Sequence, residues 1–274
     1  MKLILISTIV TLAAIQSVQA DVMAPGQIAS RIEYSEGKSK TVFDGNGNEV
    51  DYKAIGALGG IDKRDTKNVA LSHSIGIGHK AQIDLGLNYS HADATVASQG
   101  GIAEVSARYL YGAYSNDSFD INIGFGVRAP GDNKGGSAFT SLSDGLTKYD
   151  YNLDLGYIVS PLLKAGLNIR FTDRNSSISK SQTLMELYGT YFPNSNFYLN
   201  ASYLMFNTSG GTDVLAAGFD FSTLKEKYNA FNLTVGYKIN NQYGIDAHYG
   251  QKLTSNAANT DGNTTIGLGL NCSY

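Results

Sequence analysis

The side chains best suited to nucleophilic or metal chemistry near neutral pH are few: four histidines and one cysteine, Cys272, in 274 residues. His73 stands between Ser72 and Ser74, and His91 is followed two residues later by Asp93. A serine nucleophile needs a base within hydrogen-bond reach and a third group to orient that base. On an extended strand only residues two apart share a face, so His73 would need a serine at 71 or 75. Those positions hold Leu71 and Ile75, and His91 has no serine partner either. Nucleophilic catalysis is therefore poorly supported, and no enzyme is expected. The run Asp44-Gly45-Asn46-Gly47-Asn48 has the start of a calcium loop, but Glu49 stands where that motif needs Gly and Ile55 where it needs a bidentate Glu. A solvated turn is the expected reading. No Cys/His cluster suggests a metal, and no phosphate-cradling glycine motif suggests a cofactor.

What remains is charge spaced by twos, and that spacing belongs to strands. Phe231, Leu233, Val235, Tyr237 and Ile239 alternate with Asn232, Thr234, Gly236 and Lys238. Phe119 to Val127, Leu163 to Phe171 and Ala81 to Tyr89 sort in the same way. A helix would scatter these residues around its circumference, whereas a strand puts each set on one face. Further strands are predicted near 27–35, 68–78, 102–114, 147–158, 182–192, 196–207, 242–252 and 264–274, twelve in all. Runs of about ten residues are what a tilted membrane strand requires. The connections alternate too. Tight turns at 79–80, 116–117, 160–161, 193–196 and 240–242 are separated by polar stretches at 36–67, 92–101, 129–146, 173–181, 208–228 and 253–263. Short turns on one rim and long loops on the other characterise an up-and-down transmembrane β-barrel. Val214 to Phe221 is strand-like and, counted as a span, would make a fourteen-strand barrel.

The ends and the composition agree. Residues 1–20 carry Lys2, an apolar run from Leu3 to Ile15, and Val18-Gln19-Ala20, the three parts of a secretory signal peptide. The domain organisation is then a signal peptide, 1–20, and one outer-membrane β-barrel, 21–274. Without Lys2 the 21 basic residues fall to 20 against 24 acidic ones, a balance that argues against nucleic acid. A mean hydropathy of −0.15 excludes a helical membrane protein but suits a barrel, in which alternate residues face lipid. The last strand ends on Tyr274 with Gly269 five residues before it. This resembles the terminal assembly signal of outer-membrane proteins, with Cys272 in place of the usual large residue. That resemblance implies the barrel assembly machinery as a partner, besides outer-membrane lipids.

With the apolar faces on lipid, the opposite faces line the lumen. The acidic candidates are Glu33, Asp84, Glu104, Asp120, Asp150, Asp154, Glu186 and Asp246; the basic ones are Arg31, Arg108, Arg128, Lys164, Arg170 and Lys238, with His248 near them. Mixed signs either pair across strands and hold a narrow barrel shut or line a polar path, and a small interior fills readily with paired side chains. The hairpin 41–50, the run Gln82 to Tyr89 and the late hairpin Phe231 to Asn240 give a layout that resembles the outer-membrane proteins grouped with the meta-pathway of phenol degradation, loosely related to transporters of hydrophobic compounds. The resemblance implies passage of small apolar or aromatic molecules. The expected function is thus a channel or uptake protein for small solutes, by passive diffusion, in the outer membrane of a Gram-negative bacterium. A structural or surface-interaction barrel with a closed, charge-paired lumen is the alternative, and a lipid-acting enzyme the third reading.

Overall fold

A computed structural model describes residues 22–54, 62–95, 97–131, 145–175, 179–213, 225–258 and 260–274. Residues 1–20 and the segment 214–221 lie outside them. Twelve long strands form the wall: β1 (Ile28–Ser39), β4 (Arg64–Gly78), β5 (Ala81–Ala94), β6 (Ala97–Ser115), β7 (Phe119–Pro130), β8 (Lys148–Ser160), β9 (Leu163–Arg174), β10 (Ser179–Tyr191), β11 (Phe197–Gly210), β12 (Lys227–Lys238), β13 (Tyr243–Ala258) and β15 (Thr264–Ser273). Three short ones, β2 (Thr41–Phe43), β3 (Glu49–Asp51) and β14 (Thr260–Asp261), make a separate small sheet. Each wall strand pairs antiparallel with its neighbours in sequence, and β1 pairs with β15 to close the ring. The ring closes at twelve strands, which sets the fourteen-strand alternative aside.

Alternation dictates the wall. Ile123 and Phe125 of β7 are exposed while Asp120, Asn122 and Arg128 between and beside them are buried. Burial is therefore inverted relative to a water-soluble protein: polar residues face inward and apolar ones outward. Most of the exposed aromatics fall into two sets. Tyr114, Tyr157, Tyr191, Phe197, Tyr237 and Tyr243 stand at or near the short-turn ends of their strands. Tyr34, Tyr89, Phe125, Tyr151, Phe171, Phe231 and Tyr249 stand six to nine residues further along. Two aromatic girdles flanking an apolar band mark the two interfaces of a bilayer.

Two stretches expected to be long loops are strand instead. β5 and β6 remain paired as far as Ala94 and Ala97, so 92–101 is the tip of a hairpin. β13 runs to Ala258, through most of 253–263. Polar residues hid these extensions, because a strand projecting beyond the membrane loses its apolar face but keeps its ladder. The connection from β1 to β4 does fold as the sequence suggests: β2, a turn and β3, then a single 3-10 turn at Tyr52–Ala54. In the turn between β2 and β3 the Asp44 carboxylate accepts hydrogen bonds from the amides of Asn46 and Asn48, both at 2.9 Å, and from Asn48 Nδ2 at 3.0 Å. Donors within its own turn occupy both oxygens. The Asn48 side chain, followed by these amides, holds the carboxyl below the usual aspartate range.

Candidate functional site: the lumen and its two mouths

Inward residues at the same level of neighbouring strands come together because register fixes which residues face each other. Arg128 lies opposite Lys148 in the ladder and beside Asp150. Its Nε donates to Asp150 Oδ2 at 2.5 Å, its Nη2 to Asp150 Oδ1 at 2.8 Å and to Thr172 at 3.2 Å, and its Nη1 to Glu104 at 3.5 Å. Lys148 reaches the same Glu104 at 3.6 Å. One strand pair away Arg108 holds Asp84 through two donors, at 2.8 and 2.5 Å. Arg31 is the centre of a second network on β1, β13 and β15. It bridges Glu33, Asp246 and Asn271, while Tyr198 donates to Asp246 at 3.3 Å. Lys164 pairs with Asp120 at 3.3 Å.

The structure joins Arg31, Glu33 and Asp246, then Asp84 and Arg108, then Glu104, Arg128 and Asp150, then Asp120 and Lys164. His248 Nε2 stands 3.5 Å from Glu33 without hydrogen-bond alignment. Asp154 accepts from Tyr188 at 3.2 Å rather than from a cation. Lys238 sits apart, exposed at the short-turn mouth. Arg170 and Glu186 are buried but each keeps a polar atom, Nε and Oε1, with no partner among the described residues, as does Asn152 at both ends of its amide. Buried polar atoms of this kind need water or a solute.

Glycines make room for this lining. A Cβ on Gly166 would strike the ring of Tyr188, its direct ladder partner, and a Cβ on Gly236 would strike Tyr198 in the same relation. Each tyrosine thus lies flat against the wall over a glycine and carries its hydroxyl to a carboxylate. Gly269 clears space in the same way, since a Cβ there would fall against the Arg31 guanidinium and Asp246.

Space inside is unequal. At the short-turn mouth a vestibule of about 430 Å³ is lined by Arg31, Tyr198, Thr234, Lys238, Asn240 and Asn271 among others. Deeper in, a chamber of about 90 Å³ lies among Asp84, Arg108, Arg128, Asp150, Asn152 and Arg170. At the long-loop mouth the hairpin β2–β3 turns inward. Phe43, 2% exposed, packs with Leu184, Leu204, Phe206, Tyr228, Ala230 and Ala257. β2 also pairs with β14, and Thr260 of β14 accepts from Lys252 and donates to Glu226, both at 2.6 Å. Lys252 lies 4.4 Å from the centre of the Tyr228 ring.

Several of these groups escaped the sequence reading. Lys148 and Lys252 have the inward parity of strands expected at 147–158 and 242–252, so parity alone could have found them. Arg64 and Arg174, both buried, lie just beyond the predicted strand ends. The apolar patch under Phe43 had its own signal. In Tyr203-Leu204-Met205-Phe206 alternation fails, because Leu204 and Phe206 face inward while Tyr203 and Met205 face out. The sequence also denied His73 a serine partner. Ser72 and Ser74 do share the inward parity of their strand, but Ser30 of β1 lies directly across the ladder, its Oγ 2.8 Å from His73 Nδ1. A cross-strand neighbour 43 positions away cannot be read from spacing. Among the described residues no carboxylate hydrogen-bonds to His73 to complete a triad.

No protein-family model matches this chain, and no curated protein matches it. Solved structures do. The COG4313 outer membrane channel from Pseudomonas putida F1 superposes with a TM-score of 0.76 at 12% identity, over 93% of this chain and 98% of that one. The NanC porin gives 0.56 at 12% identity, over 88% and 98%. The translocator domain of the autotransporter NalP from Neisseria meningitidis gives 0.50 at 13% identity, over 97% of each chain. At such identities the likeness is one of fold, and the fold is that of outer-membrane β-barrels.

Proposed function

We propose that this chain is an outer-membrane channel that passes small solutes by diffusion through a narrow polar lumen, with the β2–β3 hairpin as the closure of its outer mouth. The observation that carries this reading is the lining of the inner chamber. Arg108, Arg128 and Arg170 face Asp84 and Asp150 there, with unpartnered polar atoms on Asn152 and Arg170. A sealed scaffold would gain nothing from wetting these groups, whereas a path for water and small polar solutes requires it. Both signs are present, so selection by charge is weak and selection by size dominates. Passage of apolar or aromatic compounds rests on the sequence resemblance. The fold neighbours described as a channel and a porin support the general class.

The same reading includes a cleaved leader at 1–20, delivery to the barrel assembly machinery through the terminal strand with Gly269, Cys272 and Tyr274, and residence among outer-membrane lipids of a Gram-negative bacterium. The alternative of a closed structural barrel is favoured by one observation, the cross-strand pairing of most lumen charges. Conductance of the refolded protein in a planar lipid bilayer decides between them. Unitary steps are expected, small because the chamber is narrow. A silent bilayer containing barrel shown to be folded by its heat-dependent gel mobility would overturn the channel.

A further inference from the structure

The outer wall carries a concavity of about 680 Å³, an unusual feature on the convex side of a barrel. Its outline follows the ladder. One row runs Cys272, Ser30, His73, Leu85, Ala107, Val127 across β15, β1, β4, β5, β6 and β7, each residue opposite the next. A parallel row two residues nearer the long-loop rim ends at Val105 and Ala129. Small outward residues, Ser30, Ala107 and Ala129, form part of the floor. Small inward residues at the same level, Ser72, Gly86 and Ser106, let the wall sink toward the lumen; a Cβ on Gly86 would already meet the Ser106 hydroxyl.

The groove has a polar end and an apolar end. Cys272 and Ser30 lie within two residues of the short-turn ends of β15 and β1, at the height of the lower aromatic girdle. Val127 lies eight residues up β7, level with the upper girdle. Five strand spacings of about 4.8 Å give a row roughly 24 Å long. With strands tilted about 40°, a row perpendicular to them climbs by about 15 Å from the lower girdle toward the upper one. A histidine facing hydrocarbon is costly unless something there uses it. Ser30 occupies Nδ1, which leaves Nε2 for a partner supplied by the membrane.

We infer that this groove seats one acyl chain of a membrane phospholipid, its ester carbonyl accepting a hydrogen bond from His73 Nε2. The chain runs from the Ser30–His73 pair over Leu85 and Ala107 to Val127. Ser30 acts as a positioning residue: its bond to Nδ1 orients the ring with Nε2 toward the groove, and in the tautomer where Ser30 donates, Nε2 carries the hydrogen. The site rests on the membrane reading above, but not on whether the lumen conducts.

The test uses the full barrel in phosphatidylcholine vesicles containing a small fraction of phospholipid with a photoactivatable diazirine on its acyl chain, and maps the adducts by mass spectrometry. Labelling is expected to concentrate on Leu71, Leu85 and Ala107 relative to Leu187, Leu199 and Val235 on the opposite wall. His73→Phe should reduce the excess about fivefold, the ratio carried by one hydrogen bond of about 1 kcal/mol. Ala107→Phe, which fills the groove and leaves the pair intact, should reduce it as well. Labelling spread evenly around the wall, or an excess unmoved by His73→Phe, would overturn the assignment. Release of free fatty acid that Ser30→Ala abolishes would overturn it in favour of hydrolysis. Labelling nowhere on the wall would sink the membrane reading itself.

Discussion

Replacing Phe43 by alanine isolates the closure of the outer mouth from the barrel that it closes. The ring of Phe43 is the apolar anchor of the β2–β3 hairpin. It is packed against Leu184, Leu204, Phe206, Tyr228 and Ala230 on the lumen wall and Ala257 of β13. Truncating a buried phenylalanine to alanine costs about 3–5 kcal/mol. No wall strand contains Phe43, so this cost falls on docking of the hairpin rather than on strand pairing. At a factor of ten per ~1.4 kcal/mol, the ratio of undocked to docked hairpin rises roughly a hundred- to several-thousand-fold. The polar tethers survive the substitution. Gly262 still donates its amide to the Thr41 carbonyl at 3.0 Å, while the bond from the Tyr52 amide to Lys40 at 3.1 Å closes the base of the hairpin itself, so opening stays reversible. Single-channel recording should show rare openings in the natural protein and long ones in Phe43→Ala, with an unchanged thermal transition of the barrel. An open fraction equal to that of the natural protein, with the variant folded, would refute the hairpin as the closure.

Two further outcomes follow from the charged groups. Asp44 titrates below its unfolded value, so its contribution to the hairpin turn is present above about pH 4 and is lost as pH falls through the lowered folded value. Channel opening should therefore increase on acidification below about pH 4, and Asp44→Asn should flatten that dependence; identical pH profiles for the two proteins would sink the link. Arg128→Ala strips Asp150 of both its guanidinium donors and Glu104 of one partner. Breaking a buried pair from one side costs about 3–5 kcal/mol. The urea midpoint should fall, and the reversal potential under a salt gradient should shift toward cation preference; an unmoved reversal potential would place these residues outside the conducting path.

Much of this molecule could be read from alternation alone, since a barrel wall has one rule for every strand. Phe231 to Lys238 or Phe119 to Arg128 state the inward and outward faces without reference to any neighbour. The rule fails where the surroundings change. Beyond the membrane, at Arg64, Arg174 and 253–258, the outward face no longer needs to be apolar, and the strands outrun their pattern. Under the hairpin the lumen wall is itself apolar, so Leu204 and Phe206 erase the contrast that marks a strand. Partners across the ladder were out of reach because register depends on every turn between them. Arg31 meets Asp246 only once the ring closes, and Ser30 meets His73 only once β1 and β4 set their register across the connection between them. Gly269, which the sequence offers as part of a terminal assembly signal, stands where the Arg31–Asp246 pair needs space.

The seam between β1 and β15 also bears on how the protein reaches this state. Every other wall contact joins strands adjacent in the chain, but the seam pairs ten residues of each end, bringing Arg31 to Asn271 across 240 positions. Until it forms, the sheet has two bare edges. In hydrocarbon each unpaired backbone group costs several kcal/mol, so a half-closed sheet has no stable place in the bilayer. In water the same edges invite pairing with another chain. Closure and insertion are thus compelled to happen together, as one concerted event whose timing is set by the last strand to arrive. The kinetic barrier lies in that meeting of the two ends, while the hairpins between them assemble locally and early.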